Sequence, residues 1–401
     1  MNTPYDALVI GAGPAGGAAA LLLARAGWSV AVVEKSEFPR RKVCGEFVSP
    51  TNLPLLEHMG VGDEFTRRAG PPVTQVGLAA GPHLVTAPLP RSHDGAVGRA
   101  LSRERLDTLL LSHAAAHGAQ LYQPFSAISL HRDRVAYHCT ARDLQTRREH
   151  HLAARVVIAA HGSWDPGTLP TQHSHTSARC SDLLAFKAHF TNTDLPEPLM
   201  PLVLFRDGYA GLVHCDGGRV SASCCIRFDR LQSLRRQSPH LTAPEATFEY
   251  LQSESAAMRQ WMRRARRDGP FLAAGPIRPG IRGTGGDGLF LVGNAAGEPQ
   301  PAIAEGITMA MQSAWLLCRE LIERRSQLLD AAGVRPALRD VSDAYRKTWH
   351  RHLAPRIRVA SLFASVGMRP HPVAAGMPII RALPSLLTLG ARLAGKASRV
   401  A

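Results

Sequence analysis

The chain has 401 residues, of which 45% are hydrophobic and 20% are charged, and its formal net charge is +15 at pH 7. This length and composition predict a globular protein with a large core and two interleaved domains, and they exclude a disordered or low-complexity chain. The positive charge attracts anions, which include nucleic acid, acidic lipid and acidic carrier proteins. Zinc-finger spacing and basic patches interleaved with aromatic residues are absent from the sequence, so we expect no nucleic-acid partner.

Seven cysteines are spread along the chain without a CxxC spacing. This pattern argues against a disulfide framework and a zinc site, so we expect no metal ion and a reducing, cytoplasmic location. The first hydrophobic segment begins at Tyr5 and continues into a glycine motif, which predicts a core strand and not a signal peptide. No apolar stretch reaches the roughly 18 residues that a membrane-spanning helix needs.

The N-terminal segment predicts a βαβ unit. Tyr5–Ile10 is typical of a buried strand, an alanine- and leucine-rich helix ends near Arg25, and Val30–Val33 is typical of a second buried strand. The sequence GAGPAG occupies positions 11–16, between the first strand and the helix. In such a unit the helix N-terminus offers free N–H groups to phosphates, and Glu34, which closes the second strand, accepts hydrogen bonds from ribose hydroxyls.

Each glycine of this motif has a separate role. Gly11 permits the tight turn, Gly13 lets the backbone approach a pyrophosphate, and Gly16 lets the helix pack closely on the strand. The pattern predicts a Rossmann-type dinucleotide site, and it leaves FAD and NAD open. The predicted cofactor contacts in this unit are Gly11, Gly13, Pro14, Ala15, Gly16, Glu34 and Lys35.

A second part of the same site is predicted far downstream. The sequence LFLV at 289–292 is typical of a buried strand, GNAAG follows it, and a helix is predicted from Ile307 to about Glu323. A strand that delivers a polar side chain and a helix N-terminus to one place suits the ribityl chain and pyrimidine edge of a flavin. The predicted cofactor contacts here are Asn294, Ala295, Ala304, Gly306 and Ile307.

Three segments together resemble a known superfamily. They are the GAGPAG motif, the sequence LSRERLD at 101–107 and the strand near residue 290, and over about residues 5–325 they are similar to the FAD-dependent aromatic hydroxylases and geranylgeranyl reductases. The sequence FPRRKVCGE at 38–46 resembles the PRxKxCG segment of the reductase branch, and GYAG at 208–211 resembles its GY motif. The resemblance implies FAD as the cofactor, with Arg103 in contact with it and Asn294 at the ribityl chain.

Three positions depart from the pattern of this superfamily. Asn294 replaces a usual aspartate, Ala304 replaces a glycine, and His161 replaces the aspartate of an Ala-Asp-Gly segment. Asparagine keeps an acceptor, whereas the methyl group of Ala304 could restrict close approach of the backbone. The resemblance ties the segment around His161 to NAD(P)H handling, so the change weakens the case for a self-sufficient hydroxylase. The alternative is that His161 is a plain loop residue.

Cys44, Lys42 and Glu46 are the candidate catalytic residues. A flavin performs the redox chemistry, so the protein has to position the substrate, exclude water and tune the ring. The three residues Arg40, Arg41 and Lys42 precede Cys44 and would favour its thiolate form. The resemblance places Cys44 near the flavin ring, whereas simple packing of the thiol is the alternative. Lys42 and Glu46 would orient the substrate or the cofactor.

The predicted fold is α/β: a three-layer Rossmann-type FAD-binding domain with an inserted mixed β-sheet substrate domain and a helical C-terminus. The predicted segments are the first FAD-binding part at 1–180, the substrate domain at 181–275, the second FAD-binding part at 276–325 and the C-terminal helical region at 326–401. Within the substrate domain, strands are predicted at Tyr209–His214 and Arg219–Ile226 around a turn at 216–218. Their apolar residues suggest a hydrophobic substrate cavity.

The C-terminal region is predicted to begin with a helix at Leu338–His352. An arginine-rich stretch with an apolar face follows, and Pro378 and Pro384 divide it into short pieces. We expect this face to pack over the substrate domain. A dimer contact, a peripheral contact with an anionic membrane and a contact with an acidic protein are the alternatives, and the oligomeric state stays open.

These observations predict an FAD-dependent oxidoreductase for a bulky hydrophobic small molecule, such as a polyketide-like aromatic compound or an isoprenoid. We expect a monooxygenase with NAD(P)H as the ultimate electron donor. The alternatives are hydride transfer to or from a carbon–carbon bond, a non-catalytic flavin-binding protein, and an NAD-dependent dehydrogenase without flavin. The Trp-x-Trp-x-Ile-Pro segment of flavin-dependent halogenases is absent, which argues against halogenation.

Overall fold

The computed structural model describes residues 3–92, 95–163, 166–172, 177, 179–330 and 334–396. Its strands, numbered in chain order, are β1 (Tyr5–Ile10), β2 (Val30–Val33), β3 (Phe47–Val48), β4 (Gln75–Ala80), β5 (His83–Pro88), β6 (Arg99–Ala100), β7 (Gln120–Tyr122), β8 (Phe125–Arg132), β9 (Tyr137–Asp143), β10 (Glu149–Ala159), β11 (Leu183–Thr191), β12 (Leu199–Phe205), β13 (Gly208–His214), β14 (Val220–Arg227), β15 (Arg266–Ile277), β16 (Gly280–Ile281), β17 (Gly285–Gly286), β18 (Leu289–Leu291) and β19 (Gly297–Glu298). Its helices are α1 (Pro14–Arg25), α2 (Leu53–His58), α3 (Gly62–Arg68), α4 (Arg103–Ala116), α5 (Phe228–Gln237), α6 (Ala243–Glu254), α7 (Ala256–Met262), α8 (Gly306–Glu323), α9 (Arg325–Leu329), α10 (Val334–His352), α11 (Ala354–Gly367), α12 (Pro370–Ala382) and α13 (Ser385–Ala391).

The first sheet is the middle layer of the three that were predicted. Its parallel strands lie in the order β18-β10-β1-β2-β7, and β9 and β17 add antiparallel partners. Side chains alternate along β1: Ala7 and Val9 face a core shared with α1, α4 and α8, whereas Leu8 and Ile10 face a core shared with β8 and β9. The predicted limits of β1, α1 and β2 are confirmed, because continuous apolar strands around a small-residue helix are typical of a buried parallel sheet.

The second sheet has the order β15-β11-β14-β13-β12-β4-β5 and is mixed, as predicted: β4 pairs with β12 in parallel, and the other pairs are antiparallel. The predicted substrate segment 181–275 supplies β11 to β14 and most of β15. Two further strands, β4 and β5, come from within the predicted FAD-binding segment 1–180. Local patterns did not indicate this, because the pairing of Leu78 with Leu202 joins two distant parts of the chain.

The two faces of the second sheet are covered by different helices. On one face, Phe248, Leu251 and Trp261 of α6 and α7 pack against the sheet. On the other face, Leu204 and Tyr209 share a core with residues of α11 and α12. The second face also faces the glycine motif, and a cavity lies between that face and the motif.

The C-terminal helices hold the two sheets together. Tyr345 of α10 donates a hydrogen bond to the Leu291 carbonyl oxygen (2.8 Å), and its hydroxyl also bonds the Ser313 hydroxyl (2.9 Å). Helices α11 to α13 then cross to the second sheet, where Ala364 and Met377 are buried. The predicted helical C-terminus is confirmed, and it packs on both domains.

Among the described residues, no single helix has the length and apolar composition needed to cross a bilayer. The helix pair His371–Ala382 and Ser385–Gly395 meets those two criteria only when taken together, and it is bent by 111°.

The docking of α10 predicts the effect of Tyr345→Phe. This change removes both hydroxyl bonds and leaves the Leu291 carbonyl and Ser313 without their partner, so we expect the free energy of unfolding to fall by about 1–3 kcal/mol. Chemical denaturation with a far-ultraviolet circular dichroism readout measures this. Tyr250→Phe is the control, because Tyr250 makes its contacts to Phe205 and Arg230 through its ring. Equal stability of the Tyr345 variant and the wild type would contradict the role assigned to this hydroxyl.

Candidate functional site

A cavity of about 790 Å³ extends from the glycine motif to the second sheet and the C-terminal helices. Gly13, Cys44 and Arg103 lie on its wall near α1, and Leu204 and Met377 lie on its wall near the second sheet. One continuous space therefore connects the predicted dinucleotide site with the predicted substrate site.

The glycine motif forms a cradle that side chains would fill. Gly11 has a φ of +96°, and a Cβ atom there would lie 2.7 Å from the Ala160 carbonyl oxygen. A Cβ atom at Gly16 would lie 1.8 Å from the Gly11 carbonyl oxygen, so no side chain fits between the turn and α1. A Cβ atom at Gly13 would lie 3.3 Å from the Arg103 guanidinium. These distances match the three roles expected of a pyrophosphate-binding turn at a helix N-terminus.

Glu34 lies beside this turn and is buried. Its carboxylate accepts hydrogen bonds from the backbone N–H groups of Ala12 (2.7 Å) and Ser36 (2.9 Å). Each carboxylate oxygen has two lone pairs, so both oxygens keep acceptor capacity for ribose hydroxyls. Lys35, which follows, is exposed and lies at the edge of the cavity.

The downstream part of the predicted site meets the glycine motif directly. Gly293 has a φ of +60°, and a Cβ atom there would lie 2.8 Å from Cβ of Ala15, so α1 and the end of β18 are in close contact. The side-chain amide of Asn294 donates to Glu298 (3.3 Å), and the backbone carbonyl oxygen of Asn294 accepts from Arg282 (3.1 Å).

Four of the other predicted cofactor contacts, Pro14, Ala304, Gly306 and Ile307, line the cavity, whereas Ala295 does not. Pro14 is buried at the start of α1, and Gly306 begins α8 in open space toward the cavity, followed by buried Ile307. Ala295 is buried next to Asn294. Ala304 has left-handed backbone angles (φ 52°, ψ 40°), which explains why glycine suits this position. Its methyl group packs against the core between β3, β6 and the second sheet.

His161 lies against the glycine turn. Its Nδ1 atom is 3.0 Å from the Gly162 carbonyl oxygen, and its Nε2 atom is 2.9 Å from the Thr171 hydroxyl. A Cβ atom at Gly11 would lie 2.9 Å from the His161 Cα atom. The residue therefore lines the cofactor end of the cavity and is held by its own loop.

The cation beside the Cys44 thiol is Arg103. Its guanidinium is buried, binds Asp107 through two hydrogen bonds (2.8 and 2.7 Å) and faces the Cys44 sulfur. Burial opposes the charged form, but the charge of Asp107 outweighs this and raises the pKa of Arg103, so the side chain stays cationic. The sequence had indicated Arg40, Arg41 and Lys42 for this place, and of these Arg40 and Lys42 line the cavity.

Both of those arginines are paired with carboxylates, and Arg40 shares Asp107 with Arg103, which corrects the expectation. Arg40 bonds Asp107 (3.1 Å), and Arg41 bonds Glu104 (2.8 Å) and Asp268 (3.2 Å). Arg40 and Arg41 are adjacent in sequence, but their guanidinium groups bind different carboxylates, so adjacency in sequence did not determine which cation contacts the thiol.

Glu46 lies at the centre of a buried cluster. It forms an ion pair with Lys187, accepts a hydrogen bond from the Arg103 N–H (2.9 Å) and bonds Nε2 of His189 (2.7 Å). Burial would raise the pKa of Glu46, but Lys187 and His189 outweigh it and lower the pKa to about 2. Both carboxylate oxygens of Glu46 already have partners, so its role is to hold Lys187, His189 and the start of α4 in position.

The three candidate catalytic residues therefore differ in their surroundings. All three line the cavity, but Cys44 and Lys42 are partly exposed, whereas Glu46 is 1% exposed. Sequence reasoning did not identify Lys187 and His189. Their signal was present, because two polar residues alternate with Phe and Ala in a strand that is otherwise apolar, and this spacing puts both on one face.

The geometry agrees with the comparisons to known proteins. Residues 4–275 match the family described as FAD binding domain. The chain belongs to this family. FAD is the cofactor for which the glycine cradle, Glu34 and the start of α8 are built, and the protein is an FAD-dependent oxidoreductase.

Three known proteins show what the chain is similar to. Menaquinone reductase of Mycolicibacterium smegmatis is 25% identical over 98% of this chain and 92% of the relative. Digeranylgeranylglycerophospholipid reductase of Methanocaldococcus jannaschii is 25% identical over 82% of this chain and 80% of the relative. The structure of the flavin-dependent brominase Bmp2 matches with a TM-score of 0.78 and 17% identity over 98% of this chain and 94% of that chain. The last likeness shows a shared fold.

The cradle predicts that Gly13→Val abolishes retention of FAD. A branched side chain at this position would occupy the place of the pyrophosphate and press on Arg103. Flavin absorbance of the purified protein near about 450 nm measures retention. Gly13→Ala is the graded control, and we expect weakened but measurable binding. A Gly13→Val protein as yellow as the wild type would show that the cofactor lies elsewhere.

The buried cluster predicts a change in acid stability for Glu46→Gln. The lowered pKa of Glu46 contributes stability that is present above its ordinary pKa of 4.5 and is lost as the pH falls toward about 2. We expect the variant to lose about 3–5 kcal/mol at neutral pH, because Lys187 is left unpaired, and to lose less on acidification than the wild type. Urea unfolding between about pH 7 and pH 3 measures both effects.

Two controls accompany this measurement. Glu249→Gln changes an exposed carboxylate on α6 and should behave like the wild type. Glu46→Gln combined with Lys187→Met removes both charges and should be more stable than Glu46→Gln alone. Additive effects of the two changes would contradict the ion pair.

Proposed function

We propose that the protein reduces a carbon–carbon double bond in a bulky apolar substrate, with NAD(P)H as the source of electrons. The supporting observation is the position of Cys44, which lies on the cavity wall between the glycine cradle and the second sheet. The two relatives that carry reductase names, and that align over most of the chain, favour reduction over the hydroxylation expected from the sequence.

Once reduced by NAD(P)H, bound FAD would supply a hydride to one carbon of the double bond, and saturation requires a proton on the other carbon. The Cys44 thiol lies on the wall and holds such a proton at Sγ. After it donates the proton, the thiolate would be stabilised by the Arg103 guanidinium and by the Glu46 N–H, which lies 3.4 Å from Sγ. The Glu46 cluster then serves to fix the loop that carries Cys44.

The rest of the cavity supports an apolar substrate. Its walls carry Leu78 and Leu204 from the second sheet and Met377, Ile380 and Leu387 from the C-terminal helices. When a hydrocarbon chain binds, its surface and the apolar cavity wall are both removed from water, which favours binding by a free energy of about 25 cal/mol per Å² of apolar area. An isoprenoid lipid or a ring with an apolar side chain fits this lining.

Turnover with NADPH and a menaquinone, run in parallel with and without air, tests the reaction, with mass spectrometry of the product after any quinol has been reoxidised to quinone. Reduction adds about 2 Da, whereas hydroxylation, which needs air, adds about 16 Da. A product about 16 Da heavier would contradict the proposal in favour of a monooxygenase. NADPH oxidation without any product, across quinone and isoprenoid substrates, would contradict it in favour of a flavin-binding protein without this activity.

The role of Cys44 predicts a selective effect of Cys44→Ser. The variant should retain FAD and accept electrons from NADPH at the wild-type rate, and it should transfer them to substrate about 100-fold more slowly. Stopped-flow absorbance of the two half-reactions separates these steps. Cys180→Ser is the control, because Cys180 is exposed and outside the cavity wall. Unchanged transfer in the Cys44 variant would assign this thiol to packing.

A further inference from the structure

An exposed apolar surface covers the C-terminal helices. Of the fourteen large apolar side chains that are exposed among the described residues, eight belong to α11, α12, α13 and the turns that follow them. We name these eight the C-terminal apolar surface: Leu362, Phe363, Val366, Ile379, Leu383, Leu386, Leu389 and Leu393. Apolar patches of this kind on a soluble fold mark contacts with a protein or a membrane.

The charge of the same region is of one sign. Residues 344–401 contain ten lysines and arginines and no aspartate or glutamate. Arg369, Arg381 and Arg392 are exposed and alternate along the chain with the members of the C-terminal apolar surface. Exposed leucines flanked by arginines are the composition of helices that lie at the surface of anionic bilayers.

This charge pattern selects among the occupants. A second copy of the chain would bring two cationic surfaces together without a carboxylate to compensate them. An acidic protein would pair with the arginines, but it would also have to cover large leucine and isoleucine side chains that are 54–57% exposed at Ile379 and Leu383. An anionic bilayer offers both phosphates and hydrocarbon.

The C-terminal apolar surface also borders the cavity. Phe363, Leu386, Leu389 and Leu393 are exposed, and the same side chains line the cavity wall. The bend of 111° between the two helical pieces suits helices that lie along an interface.

We propose that α12 and α13 dock on an anionic lipid bilayer, with the C-terminal apolar surface buried in the headgroup region, and that an apolar substrate enters the cavity from the lipid. Docking depends on the C-terminal apolar surface and its arginines, so this proposal does not depend on whether the enzyme reduces or hydroxylates its substrate.

Sedimentation with vesicles tests the docking on the FAD-loaded protein. The probes are vesicles of phosphatidylcholine alone and vesicles with about 30 mol% phosphatidylglycerol. The variant is Ile379→Glu with Leu383→Glu, two exposed residues outside the cavity wall. The matched control is Val135→Glu with Leu144→Glu, which adds the same charge at two exposed residues, one between β8 and β9 and one between β9 and β10.

We expect the wild type and the control to bind the anionic vesicles, and the Ile379/Leu383 variant to bind them roughly tenfold more weakly. Binding should weaken when salt rises from about 0.1 M to about 0.5 M. Flavin content and melting temperature should match in all three proteins, which separates loss of docking from loss of fold.

Three results would overturn the proposal. In the first, the wild type binds neither kind of vesicle. In the second, the Ile379/Leu383 variant and the Val135/Leu144 control lose vesicle binding to the same extent. In the third, the Ile379/Leu383 variant binds the anionic vesicles as tightly as the wild type does. Concentration-dependent dimers of the wild type in ultracentrifugation that the Ile379/Leu383 variant abolishes, without vesicle binding, would assign the surface to a second copy instead.

Discussion

The ion pair between Glu46 and Lys187 lies at the junction of the two sheets, and the geometry of the cavity depends on it. Glu46 ends the loop that carries Cys44, Lys187 belongs to β11 of the second sheet, and the Glu46 carboxylate also accepts from the first N–H of α4. Helix N-termini carry free donors and a positive partial charge, so a carboxylate is stabilised there as well as by the lysine. One buried group thus fixes the loop, the helix that carries Arg103 and the second sheet relative to one another.

A second carboxylate makes the same kind of connection. Asp216, in the turn between β13 and β14, accepts from the Ser102 N–H (2.6 Å) at the start of α4. The FAD-binding domain and the second sheet are therefore joined by two acidic groups at a single helix N-terminus. This constraint explains how a cavity between two domains keeps a fixed shape, and why Cys44 and Arg103 meet there. The cofactor end and the apolar end of the cavity are built from parts that the chain brings together from distant positions.

Local patterns predicted much of the fold and part of the site. The limits of β1, α1 and β2 follow from apolar runs around GAGPAG, and the spacing to Glu34 follows from the length of the unit. Pairing of β4 with β12 was not predictable, because parallel partners distant in sequence leave no local signal. The cation at Cys44 was misassigned for a related reason: the fold brings Arg103 to the thiol, whereas Arg40 pairs with Asp107 and Arg41 pairs with Glu104. Glu46 also adopts a φ of +64°, and nothing in the sequence around a glutamate predicts this backbone conformation.

The most direct test is a spectral titration of the purified holoenzyme with a long-chain isoprenoid quinone in detergent micelles. A shared cavity for FAD and an apolar ligand predicts a saturable shift of the flavin bands between about 350 and 500 nm as the ligand displaces water beside the ring. A colourless protein that FAD does not reconstitute would contradict the cofactor site. Flavin bands that stay unchanged up to the solubility limit of several such ligands would contradict the shared cavity.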